Sequence, residues 1–135
     1  MGLLKSIICA SRLRTLPLAL SCIITGHAMA YYLGAFHWVV FNLCILTTLL
    51  LQILSNFSND LGDSEKGTDN EARIGPKRAI QSGMLSHDEM KKMLKAMIGL
   101  ALISGILLLL FSNIIWWEKL ILLAIGLGAI WAAMN

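Results

Sequence analysis

Residues 37–69 read HWVVFNLCILTTLLLQILSNFSNDLGDSEKGTD, and this stretch changes character once along its length. Up to about residue 55 it is mostly apolar and has no Asp, Glu, Lys or Arg. That part is close to the ~20 residues that a membrane-spanning helix needs. Amides, hydroxyls and carboxylates then replace the apolar residues. The stretch therefore predicts a transmembrane helix that continues into a polar region at one membrane surface.

The whole chain has the composition of a membrane protein. Hydrophobic residues make up 57% and charged residues 14%, and the mean hydropathy is +0.73, which is too apolar for a soluble domain of this size. Four apolar stretches of about the length of a span are present, at about 16–33, 37–55, 94–112 and 116–134. We predict an all-α, polytopic transmembrane helix bundle with four spans in this chain.

Lysine and arginine are concentrated on one side of this predicted bundle. Lys5, Arg12 and Arg14 precede the first span, and the segment between spans two and three holds most of the others: Lys66, Arg73, Lys77, Arg78, Lys91, Lys92 and Lys95. The other two turns carry one lysine, together with Tyr31, Tyr32, Phe36, Trp38, Trp116 and Trp117. The positive-inside rule and the interfacial aromatics both place the N-terminus and the 56–93 site loop in the cytoplasm. The net charge of +3 then indicates orientation in a lipid bilayer and not nucleic-acid binding.

Polar residues recur every three or four positions along the second span, which places them on one helical face. They are Thr48, Gln52, Asn56, Asn59, Asp60 and Asp63. Because lipid cannot satisfy polar groups, we expect this stripe to line a cavity that opens at the cytoplasmic surface. Gly67 is predicted to end the helix.

Two further helix boundaries are expected on either side of this region. Ser86 and Glu89 have the spacing of a capping box, which predicts the start of the helix that becomes span three. Residues 3–12 are predicted to form a short surface helix with Leu3, Leu4, Ile7 and Ile8 on one side.

Carboxylates in the polar segment suggest a metal site. Asp60 and Asp63 share a helical face, and Mg²⁺ is typically held by one or two carboxylates with substrate phosphates completing its shell. Asp69 would reach in from the loop, and Asn59 would supply a neutral ligand or orient the carboxylates. The alternative interpretation is a solvated helix end in a charged loop.

Cations follow these carboxylates directly. Arg73, Lys77 and Arg78 are candidates for binding diphosphate, with Asn56 as a supporting amide. The alternative for the cations is a role in membrane orientation alone, which we favour for Lys91, Lys92 and Lys95. His27 lies inside span one, where an interhelical hydrogen bond is a commoner role than catalysis, and His37 and His87 are expected at a turn and a helix start.

The pattern Asn56-x-x-Asn59-Asp60-x-x-Asp63-x-x-x-Gly67-x-Asp69-x-x-x-Arg73-x-Gly75-Pro76-x-Arg78-x-x-Gln81-Ser82-Gly83 resembles the first aspartate-rich motif of the UbiA-type intramembrane prenyltransferases. Arg14-Thr15-Leu16-Pro17 resembles the entry into their first helix. Within the superfamily the pattern is most similar to the subgroup that prenylates 1,4-dihydroxy-2-naphthoate in menaquinone synthesis.

This resemblance implies a nine-helix fold in a bacterial inner membrane and Mg²⁺-dependent transfer of a polyprenyl chain from polyprenyl diphosphate to dihydroxynaphthoate, with decarboxylation. It matches Asp60, Asp63 and Asp69 to metal-diphosphate ligands and Arg78 to a diphosphate contact. The family's second aspartate-rich motif does not follow, so we expect an N-terminal part of one domain, 1–135, that is inactive alone. Two alternatives stay open: a prenyltransferase for another aromatic acceptor, and a non-catalytic four-helix membrane module that binds cations or scaffolds a complex.

The charge pattern makes a testable statement about topology. In a variant whose three native cysteines are replaced by serine, a cysteine introduced by Ser64→Cys should react with a membrane-impermeant maleimide only from the cytoplasmic side. A cysteine introduced by Ala35→Cys should react only from the opposite side. Labelling of intact cells and of inverted membrane vesicles measures both, and the reverse pattern would contradict the predicted orientation.

Overall fold

The computed structural model describes residues 3–67 and 78–134, with side chains from Lys5 onward. The helices are α1 (Leu3–Ser11), α2 (Leu16–Tyr32), α3 (Trp38–Glu65), α4 (His87–Phe111) and α5 (Trp116–Met134), with a 3-10 turn over Leu13–Thr15. These two ranges contain no β-strand. The predicted all-α fold is confirmed.

Four helical segments in the described part of the chain are long and apolar enough to cross a membrane: Lys5–Tyr32, Trp38–Glu65, His87–Phe111 and Trp116–Met134. The protein is therefore an integral membrane protein with the four predicted spans. The 28 residues of α3 correspond to about 42 Å at 1.5 Å per residue, which exceeds a hydrocarbon core of ~30 Å. The helix is therefore long enough for one end to extend beyond the hydrocarbon. The polar residues occupy the end near Glu65.

Local sequence sets the helix ends that flank the polar region. Gly67 follows the last turn of α3 with a φ of +66°, a conformation that glycine adopts without steric cost. At the start of α4, the Ser86 Oγ accepts from the Glu89 N–H at 3.2 Å, and the Ser86 N–H donates to Glu89 Oε2 at 2.8 Å. Both the predicted helix end and the predicted capping box are confirmed. His37 N-caps α3 and His87 is the first residue of α4, as expected.

Helices α3 and α4 form an antiparallel pair with the most extensive helix–helix contact of the described chain. Contacts occur at two levels: the Thr47 and Ser104 hydroxyls lie 2.7 Å apart within the spans, and Lys91 Nζ lies 2.9 Å from Glu65 Oε1 at the polar end. The hydroxyl pair satisfies two polar groups inside the apolar region, because Ser104 is buried and has no water to bind.

The most tightly packed part of the protein lies at the polar end of α3. Its buried side chains come from α1, α3, α4 and the segment before α4: Ala10, Leu54, Phe57, Leu61, Ala79, Leu85, Met90 and Leu94. The remaining helix surfaces carry many exposed Leu, Ile and Trp side chains. Apolar burial stabilises packing where water is the competing solvent, whereas lipid tails give apolar side chains an equivalent environment. This end therefore holds the helices together and positions the polar residues.

The short helix predicted over residues 3–12 is present as α1. Ile8 is 46% exposed, whereas Ser6 and Ala10 are buried. Small side chains let two helices approach closely, and α1 contacts α3. The side chains of Leu3 and Leu4 lie outside the described residues, so the grouping of Leu3, Leu4, Ile7 and Ile8 on one side of this surface helix stays a prediction.

The hydroxyl pair between α3 and α4 generates a prediction about stability. Thr47→Val keeps the side-chain shape but removes the partner of buried Ser104, so we expect a loss of about 1 kcal/mol in unfolding free energy, within the range measured for interhelical hydrogen bonds in membranes. Thr48→Val is the matched control, since the Thr48 hydroxyl makes no hydrogen bond within the described residues. Reversible unfolding in lipid micelles measures the difference, and equal stability of the two variants would contradict it.

Candidate functional site

The polar end of α3 presents its carboxylates and amides in different environments. Asp60 and Asn56 are 2% and 4% exposed, Asp63 is partly buried and Asn59 is exposed. Residues 56, 60 and 63 lie within about 60° of one another around a helix of 3.6 residues per turn. The sequence prediction that Asp60 and Asp63 share one face is confirmed by the segment that contacts both of them.

Asp60 is held by the polypeptide segment that precedes α4. Its Oδ2 accepts a hydrogen bond from the Ala79 backbone N–H at 3.1 Å, and Ala79 is itself buried. Burying a carboxyl group without hydrogen-bond partners is costly, so this backbone donor offsets part of the cost of burying Asp60. The contact spans 19 residues of sequence and fixes the start of the described segment 78–86 against α3.

Arg78 provides the second contact between this segment and α3. Its guanidinium forms an ion pair through Nη2 with Asp63 Oδ2 and donates from Nη1 to the Asn59 carbonyl oxygen. The Arg78 side chain is 10% exposed, against 34% for that of Asp63. Consecutive residues, Arg78 and Ala79, thus bind two of the three carboxylates that the sequence analysis singled out, Asp63 and Asp60.

A tight turn gives these two residues their position. The Arg78 N–H donates to Gln81 Oε1 at 3.3 Å, and the Ser82 N–H donates to the Arg78 carbonyl at 2.9 Å. Gly83 has a φ of +69°, which an L side chain rarely adopts. The turn that carries Arg78 is therefore formed by Gln81, Ser82 and Gly83.

Asn56 connects the site to the N-terminal part of the chain. Its Nδ2 donates to the Ser11 carbonyl at 2.9 Å and to Thr15 Oγ1 at 3.1 Å. The amide nitrogen is therefore engaged with the segment between α1 and α2, which it anchors to α3. The sequence analysis assigned Asn56 to diphosphate binding, and that role stays a prediction. The Arg14-Thr15-Leu16-Pro17 motif contributes Thr15 to this anchor.

Two contacts beside the carboxylates were missed by the sequence analysis. Ser64 Oγ lies 3.0 Å from His87 Nε2, and Lys91 forms an ion pair with Glu65. The sequence assigned Lys91 to membrane orientation, and no local pattern pairs residues more than 20 positions apart. Both side chains of the ion pair are about half exposed, so its contribution to stability is small.

Below the carboxylates the polar stripe lines an open cleft between α3 and α5. The cleft has a volume of about 430 Å³, and its walls are Thr48, Leu51, Gln52, Ser55, Ala129, Ala132 and Ala133. Thr48 and Gln52 therefore face a cavity, as predicted. The rest of the stripe does not face this cleft. Asn56 binds the segment after α1, and Asp60 binds the Ala79 N–H.

Asp69, Arg73 and Lys77 lie outside the described residues, so nothing is added here to their predicted roles. Among the side chains that the structure does describe, no group of three His, Cys, Asp or Glu residues comes together. Asp60 and Asp63 supply hard oxygen donors, and two carboxylates suffice for Mg²⁺ when phosphate oxygens complete the shell. The donor set therefore fits that ion, and the role of Arg78 in binding phosphate stays a prediction.

Within residues 3–67 and 78–134, His27 makes a hydrogen bond inside its own helix and none between helices. Its Nδ1 lies 2.9 Å from the carbonyl oxygen of Ile23 in the same helix. The contact with α3 is made instead by the ring, whose centroid is 4.9 Å from that of Phe41. A carbonyl one turn earlier in the same helix is close to the histidine side chain, so the ring nitrogen meets it without a partner on a facing helix.

Several known proteins are similar to this chain in sequence. Residues 19–134 match the UbiA prenyltransferase family. The chain is 50% identical over 97 residues to a 1,4-dihydroxy-2-naphthoate octaprenyltransferase of Haemophilus influenzae, covering 70% of this chain and 32% of that protein. It is 46% identical over 97 residues to the Escherichia coli protein of the same name, covering 72% and 32%.

A third relative with that name, from Mycobacterium tuberculosis, is 30% identical over 102 residues, covering 76% of this chain and 35% of the relative. The chain thus spans about a third of the length of these curated relatives. No solved structure matches it significantly. The family match extends over most of the chain, and the carboxylates and Arg78 lie inside it, so this chain belongs to the UbiA prenyltransferase family.

Proposed function

We propose that the protein containing this chain transfers a polyprenyl chain from polyprenyl diphosphate to 1,4-dihydroxy-2-naphthoate, with loss of the carboxylate, in menaquinone synthesis. The observation that carries the proposal is the meeting of Asp60, Asp63 and Arg78 at the polar end of a transmembrane helix. The shared name of three curated relatives supports the choice of donor and acceptor.

The chemistry requires a group that stabilises a leaving diphosphate. The bond between the allylic carbon and the diphosphate oxygen breaks, its electron pair leaves with the diphosphate, and a ring carbon of the acceptor forms the new bond to the allylic carbon. Loss of CO₂ then restores the aromatic ring. Charge develops on the leaving oxygen as the bond breaks, so fixed positive charge at that position accelerates the step.

In this proposal Asp60 and Asp63 hold Mg²⁺, with Asn59 and Asp69 as further ligand candidates. When bound, the ion neutralises negative charge on the diphosphate. Arg78 supports the same charge through its guanidinium, which has a geometry suited to phosphate oxygens, and Arg73, Lys77 and Asn56 are further candidates for that contact. The buried hydrogen bond from Ala79 positions Asp60 before any ligand arrives.

The cleft between α3 and α5 supplies an environment for the organic parts of the substrates. It opens one to two helical turns along α3 from the carboxylates and combines Thr48, Gln52 and Ser55 with apolar walls. Such a surface suits a substrate pair with a long hydrocarbon chain and a hydroxylated ring. Exclusion of water by these walls would protect the allylic cation until the ring attacks.

We further propose that the site faces the cytoplasm of a bacterial inner membrane. The supporting observations are the lysine and arginine excess around α3 and α4 and the exposed Tyr31, Tyr32, Trp38 and Trp116 at the other helix ends. Interfacial aromatics and positive charge mark opposite sides here. Soluble acceptor made in the cytoplasm would then reach the site directly.

The carboxylates are tested in a chimera in which this chain is followed by the remaining part of the Haemophilus influenzae relative. Asp60→Asn or Asp63→Asn should each lower metal-dependent prenylation of dihydroxynaphthoate by at least about 100-fold, as for loss of one preorganised charge-stabilising group. Because the two groups act as a unit, the double variant should be little worse than either single variant. Radiolabelled product extracted into organic solvent measures turnover.

Asp88→Asn is the matched control, since Asp88 is an exposed carboxylate in the first turn of α4 outside the site. It should keep at least about half of the activity, as is usual for surface substitutions. Wild-type turnover in either site variant would contradict the metal role. Efficient prenylation of 4-hydroxybenzoate with none of dihydroxynaphthoate would instead show that the acceptor is a different phenol.

A further inference from the structure

The ion pair between Arg78 and Asp63 occupies one of the two carboxylates proposed to bind the metal. Arg78 is not a solvated surface cation, since its side chain is only 10% exposed. The nearby pair of Lys91 and Glu65 provides a contrast, because its side chains are 52% and 49% exposed. A cation has thus been placed specifically on Asp63 and not simply distributed over a charged surface.

The turn that carries Arg78 is anchored on both sides of the ion pair. On one side the Ala79 N–H binds Asp60, and on the other Leu85 is 3% exposed within the core that joins α3 and α4. The Arg78 guanidinium also donates to the Asn59 carbonyl. With its backbone fixed in this way, Arg78 can exchange partners by rotating its side chain while the turn stays in place.

A divalent ion and the guanidinium compete for the same carboxylate. Arginine stays charged at all accessible pH values and has no acceptor atoms, so it cannot adapt to a neighbouring cation by losing a proton. A metal ion that binds Asp60 and Asp63 must therefore displace Arg78 from Asp63 or remain close to a like charge. A diphosphate removes this conflict, because its oxygens accept the guanidinium and bind the metal together.

We propose that Arg78 is a positioning residue that holds Asp63 in the absence of substrate and transfers it to the metal only when diphosphate arrives. This inference rests on the proposed function, since it assumes that Asp60 and Asp63 bind the metal. Metal alone binds weakly because it must break the ion pair. Diphosphate gives Arg78 a new partner, so metal and diphosphate strengthen each other's binding, and the coupling is reciprocal. The ion pair thus keeps Asp63 in position in the substrate-free protein.

Binding of Mn²⁺ to purified residues 1–135 in lipid nanodiscs tests the proposal without prenyl transfer. Equilibrium dialysis against radioactive Mn²⁺ is carried out with and without inorganic pyrophosphate, which is kept equal in both compartments. In the unmodified chain, pyrophosphate should tighten Mn²⁺ binding about tenfold, within the usual range of coupling between two ligands. Absence of coupling in the unmodified chain would overturn the proposal, and this arm needs no variant.

Arg78→Gln removes the competing cation. It should bind Mn²⁺ alone about tenfold more tightly than the unmodified chain. Pyrophosphate should tighten its Mn²⁺ binding by a smaller factor than in the unmodified chain, because only the direct contact between metal and phosphate then couples the two ligands. A gain in metal affinity is not what loss of a purely structural contact would produce. Arg78→Lys keeps the charge and should resemble the unmodified chain in Mn²⁺ binding without pyrophosphate.

Lys91→Gln is the matched control, because it also removes a positive charge and an ion pair at this end of the molecule. Its affinity for Mn²⁺ should change by less than about twofold, since exposed pairs interact weakly. Equal or weaker Mn²⁺ binding by Arg78→Gln, with binding still abolished by Asp63→Asn, would overturn the role of Arg78 and leave the proposed function intact. No Mn²⁺ binding by the unmodified chain even with pyrophosphate would count against the metal site itself.

Discussion

The attachment of one short turn to the end of α3 is the interaction on which the rest of the site depends. Ala79 donates to the buried carboxylate of Asp60, and Arg78 pairs with Asp63. Without donors from this turn, a carboxylate that is 2% exposed would be costly to keep ionised. The turn in turn needs α3, because its own hydrogen bonds only close a loop of a few residues. The turn thus stabilises the two carboxylates, and the carboxylates hold the turn against α3.

This attachment coincides with the best-packed region of the chain. Phe57 and Leu54 of α3 and Met90 and Leu94 of α4 are almost completely buried there, although the same helices expose much of their surface farther along. Apolar packing is favoured most strongly where water competes, which is near the membrane surface. The carboxylates therefore lie beside the most extensively buried part of the described chain, which suits a preorganised charge-stabilising site.

Deeper in the membrane a different principle holds the helices. Hydroxyl groups of Thr47 and Ser104 meet between α3 and α4, and the His27 ring contacts Phe41 between α2 and α3. Such contacts are individually modest in lipid. Helix α5 contributes no buried residue and borders the cleft below the carboxylates. The spans thus leave room beside the polar face of α3, whereas the neighbours of α3 at its polar end hold that face in place.

The sequence by itself determined the four spans, the end of α3 at Gly67, the capping box at Ser86 and the shared face of Asp60 and Asp63. Each follows from local rules of helix period, span length or capping, which act over a few residues. Only the tertiary structure decided the partners of these groups. Arg78 on Asp63, Asn56 on Ser11 and Thr47 on Ser104 join residues 15 to 57 positions apart. Many pairings would satisfy the same donors and acceptors, and the packing of α1, α3 and α4 selects among them.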